Sequence, residues 1–365
     1  LIACFLVYTM RFKANDAIRF VRIKRPNSVQ TRCQIQCVQE FEQFIWPHNF
    51  VFSNKNSLKE NRVPVMTLAH YLTTQKIMLH GFEARCFRYI PKIIFVVCER
   101  LLQLSNCSPV GFVLKQNEFY YRHPNFYFLV SKNQPTIYQN LKNTAKEMEE
   151  TDQTSDYCNE SKNNNSDDWQ SDQQLCNITL NQYYSARDSM QLNSAEDVAE
   201  AILMDYSTID ENTKASICKY QANLKHGQAS WQALQLENNL LVLTGLLMEW
   251  LEHLKTPIIH INNLNHIVIY GKDPQFCLKK FELVAQFTIE YLFRFLAHLR
   301  PLQKEIQRDI ILRVVASLTQ QSISIRGSMQ PGGNKFKKLR QGTFNKVFEF
   351  CTILFELLYE NCQIL

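Results

Sequence analysis

No single hydrophobic core can run through residues 143–177. The stretch NTAKEMEETDQTSDYCNESKNNNSDDWQSDQQLCN is rich in Glu, Asp, Asn, Ser and Gln and has few apolar side chains. Such a segment cannot bury enough surface to offset the conformational entropy lost on ordering. It is expected to be an acidic, disordered linker extending over 143–193, with folded blocks on either side. Charge follows the same division. Residues 1–142 hold 19 Lys/Arg against 7 Asp/Glu, residues 143–212 hold 3 against 16, and residues 213–365 hold 18 against 11. The two flanking blocks therefore carry +12 and +7 around a connector of −13, within a net charge of +6. Basic blocks of this kind suit anionic partners such as phosphoproteins. Neither carries a nucleic-acid-binding signature.

Outside the linker the pattern is helical. The chain of 365 residues has only 9 Gly and as many as 24 Phe, and its apolar residues recur near every 3.6 positions. A mainly α chain is expected. Residues 1–12 read as the end of a buried helix. Asn15 or Asp16 is placed to cap a second helix with Ala17, Ile18, Phe20 and Val21 on its apolar face, and Pro26 stops it. A third starts near Thr31, with Ile35, Val38, Phe41 and Ile45 at helical spacing, and ends at Trp46-Pro47. After a polar stretch at 53–63, one helical arm is predicted over 67–79 and another over 84–104, with Pro91 as a kink or restart. The aromatic residues 105–142 read as an ordered loop or short strands.

Beyond the linker, Ser194-Ala195-Glu196-Asp197 has the form of a helix start with Ser194 as cap. Further helices are predicted over 208–225, 231–254, 275–299, 302–320 and 343–362. Residues 257–270, rich in Ile, suggest a loop or a strand pair. Phe281, Tyr291, Phe293 and Phe295 read as core. The basic run from Gly332 to Arg340 lacks a phosphate-loop pattern and reads as an exposed loop.

No apolar run reaches the ~18 residues that a membrane span requires. The apolar opening has no basic residues before it and no small-residue cleavage site, so no signal peptide is expected. The 12 Cys have no framework spacing, which suits reduced, mostly buried thiols and a cytoplasmic location. Sequons at Asn106, Asn159, Asn164 and Asn177 are accounted for by composition. Cys33 and Cys37, with His48 beyond, lack a fourth metal ligand and are expected to be buried thiols. Neither a metal nor a cofactor is predicted.

The segment with most chemical content is Arg25-Pro26-Asn27-Ser28-Val29-Gln30-Thr31-Arg32-Cys33-Gln34. By itself, a Gln pair at i and i+4 is ordinary for an exposed helix face. Set after an apolar helix and an Arg-Pro turn, it resembles the last active-site segment of cysteine-dependent protein tyrosine phosphatases, on the dual-specificity side. The resemblance rests also on Leu1–Tyr8, on Ala17 to Arg22 and on Gln34 to Phe44. Within one branch of that family it continues through Tyr71-Leu72, His80 to Arg85, Ile90 to Ile94, Trp250 to Lys255 and Ser317 to Gln321. It implies that residues 1–50 are the C-terminal helices of an α/β phosphatase domain, followed by a helical extension (51–142), the linker and a separate α-helical domain (194–365). It also implies hydrolysis of phosphorylated protein, ciliary or centrosomal partners, and placement at the centrosome or cilium base.

In such enzymes a thiolate attacks phosphorus and water then cleaves the phosphocysteine. Gln30 would hold that water, since a neutral amide donates to a phosphoryl oxygen and accepts from the water without repelling the dianion. Gln34, one turn on, would support it. The family also needs a Cys-x5-Arg loop, and no Cys of this chain has Arg six positions later. That loop is expected to lie upstream of Leu1. Without it the chain is expected to be inactive, and Ile2, Phe5, Leu6 and Phe20 should present an apolar patch. The rival reading is a non-catalytic helical scaffold that recruits phosphoproteins or ciliary partners.

Overall fold

A computed structural model describes residues 1–9, 12–45, 48, 50–52, 66–79, 81–111, 193–206, 208–224, 228–332 and 336–363. The stretch at 53–63, the aromatic segment from 112, nearly all of the linker, Trp46-Pro47, three of the sequons and residues 333–335 lie outside the described residues.

Three helices form a small unit: α1 (Ile2–Thr9), α2 (Ala14–Lys24) and α3 (Arg32–Ile45). Their shared core is Ala3, Val7, Ala14, Ala17, Ile18, Val21 and Val38. Ile2, Phe5 and Phe20 are exposed as anticipated (64%, 63% and 42%), whereas Leu6 packs against this core. Neither Asn15 nor Asp16 caps α2. Its N-cap is Lys13, which makes no side-chain cap bond. Glu42 of α3 does the job from outside, accepting from Ala14 N at 3.1 Å.

The second unit comprises α4 (Leu68–Met78), α5 (Gly81–Cys86), α6 (Lys92–Leu104), α7 (Ala195–Leu203), α8 (Glu211–Asn223), α9 (Gln228–Gln235), α10 (Leu240–Glu252), α11 (Ile261–Tyr270), α12 (Pro274–Leu278), α13 (Leu283–His298), α14 (Lys304–Thr319) and α15 (Gln341–Gln363). Among the described residues, strands are confined to β1 (Gln321–Ile325), β2 (Ser328–Gln330) and β3 (Lys337–Lys338). β1 pairs antiparallel with β2, Ser324 opposite Met329, and parallel with β3, Gln321 opposite Lys337. The sequence pattern did not predict this sheet. Ser322 knits it together, its hydroxyl donating to Pro331 O at 2.9 Å.

The second unit joins what composition divides. α4 and α6 share one continuous core with the helices beyond residue 194, instead of forming an extension separate from a C-terminal domain. The cause is α6. Every residue from Lys92 to Leu104 except Gln103 is buried, so the helix needs cover on all sides, and α9, α10 and α13 provide it. Polar groups seal the arrangement. The buried Gln75 amide donates to Phe87 O (2.7 Å) and Ile90 O (3.0 Å) and accepts from Lys92 N (2.8 Å), satisfying the turn into α6. Trp250 Nε1 donates to Val51 O at 2.9 Å.

Local signals set most helix ends. Thr67 caps α4, and Ser194 with Asp197 forms a reciprocal capping box on α7. The single helix predicted over 231–254 is two, because Asn239 accepts from Leu241 N and Val242 N and starts α10 afresh. The helix predicted over 275–299 is likewise two, with Asp273 capping α12 and Pro274 in its first turn. Of residues 257–270, expected to be a loop or a strand pair, 257–260 are loop and 261–270 are a helix. There packing overrides β-propensity: Asn263, Leu264 and Ile267 are buried, and α11 lies against α15. Phe281, Tyr291, Phe293 and Phe295 are core residues.

Candidate functional site

The segment carrying Gln30 and Gln34 is the turn between α2 and α3. α2 gives out at Arg25, before Pro26, and the chain then passes through Asn27 and Val29 with φ of 66° and 54°. Asn tolerates this left-handed conformation. For a β-branched residue it is strained, at a cost of order 1–3 kcal/mol. Two contacts hold Val29 there: Arg22 Nη2 donates to its carbonyl at 2.7 Å, and its side chain packs against the core of the first unit. The strained turn leaves the next residue, Gln30, exposed at the corner of the molecule, where its Nε2 donates to Asn27 Oδ1 at 3.1 Å.

Gln34 is also exposed, but its bonds close the helix start. Gln34 N donates to Thr31 Oγ1 at 3.3 Å and Thr31 N donates to Gln34 Oε1 at 3.4 Å, the reciprocal arrangement of a capping box. Thus Gln34 is tied to Thr31, and Gln30 to Asn27. The spacing Thr-x-x-Gln is the sequence signal for this, and it outweighs the i, i+4 relation of the two glutamines.

Beside the corner an open groove of about 510 Å³ is lined by Asn15, Ile18, Arg19, Arg22, Ile23 and Ile35. Two guanidiniums between apolar walls suit an anion with paired oxygens, which arginine meets with a planar fork. Sequence reasoning missed a role for Arg19 and Arg22. Their spacing of three on a predicted helix places them on one face, a legible signal.

Cys33 and Cys37 are both exposed, contrary to the expectation of buried thiols. α3 turns Ile35, Val38 and Ile45 inward, so the cysteines follow the outer side. Cys37 neighbours Cys4 of α1, whose thiol pKa is raised by burial first and by Cys37 second. Among the described residues no group of three or more His, Cys, Asp or Glu is placed to hold a metal ion, and none of the helices is long and apolar enough to cross a membrane.

The turn, the corner glutamine and the paired arginines lie in the segment on which the phosphatase resemblance rests. Comparison with known proteins gives that resemblance a name. The chain is similar to protein tyrosine phosphatase domain-containing protein 1. It is 50% identical over 110 residues to the Mus musculus protein, a match that takes in 30% of this chain and 14% of that one. The Bos taurus protein is likewise 50% identical over 110 residues, and the Danio rerio protein 51% identical over 105. The match thus spans about a seventh of the length of these curated relatives, 13–14%. No protein-family model matches the chain. No solved structure matches it either.

Proposed function

We propose that the chain supplies the water-positioning segment of a cysteine-based protein tyrosine phosphatase of dual-specificity type. The identity of half the residues over 110 positions with proteins named for a tyrosine phosphatase domain carries the reading. Gln30 is the residue assigned to hold the hydrolytic water, with Gln34 supporting it by fixing the start of α3. Arg19 and Arg22 give the neighbouring groove a positive field for a phosphorylated protein segment. The substrate class is phosphotyrosine, with Ser/Thr phosphate within reach of the same chemistry, and the setting is cytoplasmic, at the centrosome or cilium base during cilium assembly.

The nucleophile and the phosphate clamp are not in these residues, since no Cys is followed by Arg six positions on. The covalent step cannot begin without them. The 365-residue chain alone should therefore release no p-nitrophenol from its phosphate ester above a Gln30→Ala control. Joined to a Cys-x5-Arg segment, the Gln30→Ala variant should accumulate phosphocysteine, seen as an 80 Da adduct by mass spectrometry in about ten times the amount found without the substitution. Equal adduct levels in both would remove Gln30 from the mechanism.

The same lack of a Cys-x5-Arg pair favours a second reading, a non-catalytic helical scaffold recruiting phosphoproteins or ciliary and centrosomal proteins. An inactive loop in the complete coding sequence would select it.

A further inference from the structure

α11 exposes three aliphatic side chains on the side that its neighbours do not cover, with Asn262 and Asn265 among them. Asn263, Leu264 and Ile267 face the core, while Ile261, Val268 and Ile269 are exposed at 70%, 47% and 67%. With Asn265, these three occupy positions i, i+4, i+7 and i+8, one continuous outward stripe. The sequence from Ile261 to Gly271 contains no charged side chain. The stripe can thus leave water without desolvating a charge.

The residues just C-terminal to the stripe point to its partner. Tyr270 and Phe276, both part-exposed, meet edge to face with ring centroids 5.2 Å apart. Lys280 Nζ then lies 4.8 Å from the centroid of Phe276. Lys272, Lys279 and Lys280 are all exposed. Two acids share the segment, Asp273 and Glu282, and Asp273 is engaged in the cap of α12, accepting from Phe276 N at 3.0 Å. Exposed aliphatic, aromatic and basic side chains thus adjoin one another from α11 into α12. An anionic bilayer surface takes up these three chemistries together: acyl chains, the ring-favouring interface, and negative headgroups that lysines reach by extending their stems. An acidic peptide would require the charge but not the exposed aliphatic side chains beside it.

We propose that the α11–α12 edge is a peripheral membrane-docking surface for anionic lipid, with Ile261, Val268 and Ile269 entering the interface and Lys272, Lys279 and Lys280 contacting headgroups. It involves no membrane span, and its reach is that of an interfacial helix.

The test is sedimentation of the full chain with vesicles of phosphatidylcholine alone or with about one third phosphatidylserine. Binding should require the anionic lipid and weaken at high salt. Val268→Asp with Ile269→Asp should reduce the partition coefficient at least tenfold, and Lys272→Glu, Lys279→Glu and Lys280→Glu together about a hundredfold. These positions are exposed, so circular dichroism should show an unchanged fold. Failure of the wild-type chain to bind the anionic vesicles would overturn the proposal, as would undiminished binding by folded variants. A homodimer in ultracentrifugation that the Asp pair dissociates would also overturn it, by assigning the stripe to a second copy.

Discussion

Tyr291 of α13 donates its hydroxyl to Glu99 of α6 at 3.0 Å, and both residues are buried. Gly111 N donates to the same carboxyl oxygen at 2.9 Å, so Glu99 anchors the segment leaving α6 as well as the α6–α13 interface. Burial pushes its pKa up to about 7, more than these hydrogen bonds bring it down. Glu290, one residue before Tyr291, is likewise raised by burial to about 7 despite its pairing with Arg294. An acid whose folded pKa is raised holds its proton longer in the native state than in the unfolded one. Stability from these two groups is therefore full below the unfolded value near 4.5, falls as pH rises to about 7, and is flat beyond. Glu99→Gln keeps an acceptor for Tyr291 and abolishes the titration. The variant should be more stable than wild type at pH 8 and lose that advantage at pH 4.5, as measured by urea unfolding at both values. A constant difference between them would show that Glu99 does not titrate in this window.

Glu252 of α10 and Arg313 of α14 form a buried pair at 2.7 Å, and Ser317 Oγ donates to the same carboxylate oxygen at 2.8 Å. Removing one ion strands the other in low dielectric, whereas removing both does not. Glu252→Ala should cost about 3–5 kcal/mol, and Glu252→Leu combined with Arg313→Met markedly less. Chemical denaturation of the single variant and the double variant measures this directly.

At Gly245, α10 packs directly against Ile217 of α8. A Cβ there would come within 2.6 Å of Ile217 Cδ1 and 3.3 Å of Tyr206. The first is the end of a flexible side chain, so Gly245→Ala should be tolerated: about 1 kcal/mol gained in helix propensity offsets the repacking. Gly245→Leu has no such outlet and should cost about 3 kcal/mol or more. Melting temperatures of the two variants should therefore separate by several degrees.

Helices were legible in the sequence wherever period and cap agreed. Ser194 with Asp197 announced its helix. What escaped was non-local. Glu42 reaches across from α3 to start α2, and Asn239 breaks a segment that looked like one helix. The composition of α6 did say that it must be covered, yet it could not say by what. Consequently α4–α6 and the helices beyond residue 194 read as separate blocks although they share a core. At the candidate site the type and place of Gln30 were readable. The left-handed Val29 that exposes it was not, because nothing in a lone valine signals positive φ.

Thr31 offers the sharpest test of that corner. Its hydroxyl accepts from Gln34 N, and its own N–H donates to Gln34 Oε1, so Thr31→Ala breaks one of two reciprocal bonds and weakens the other. Loss of an N-cap side chain costs ~0.5–2 kcal/mol, nearly all of it local to the first turn. Thr31→Ser should retain most of the bond. Hydrogen exchange at the amides of Cys33 and Gln34 should accelerate about tenfold in Thr31→Ala and little in Thr31→Ser, while the core amides of α6 and α13 stay protected. The two units have distinct cores, and Tyr8 of α1 reaches the larger one through its hydroxyl, 2.9 Å from Ile77 O and 3.4 Å from Leu79 O, so loosening the start of α3 should leave the larger one intact. Acceleration throughout α6 would instead mean that the two units unfold together.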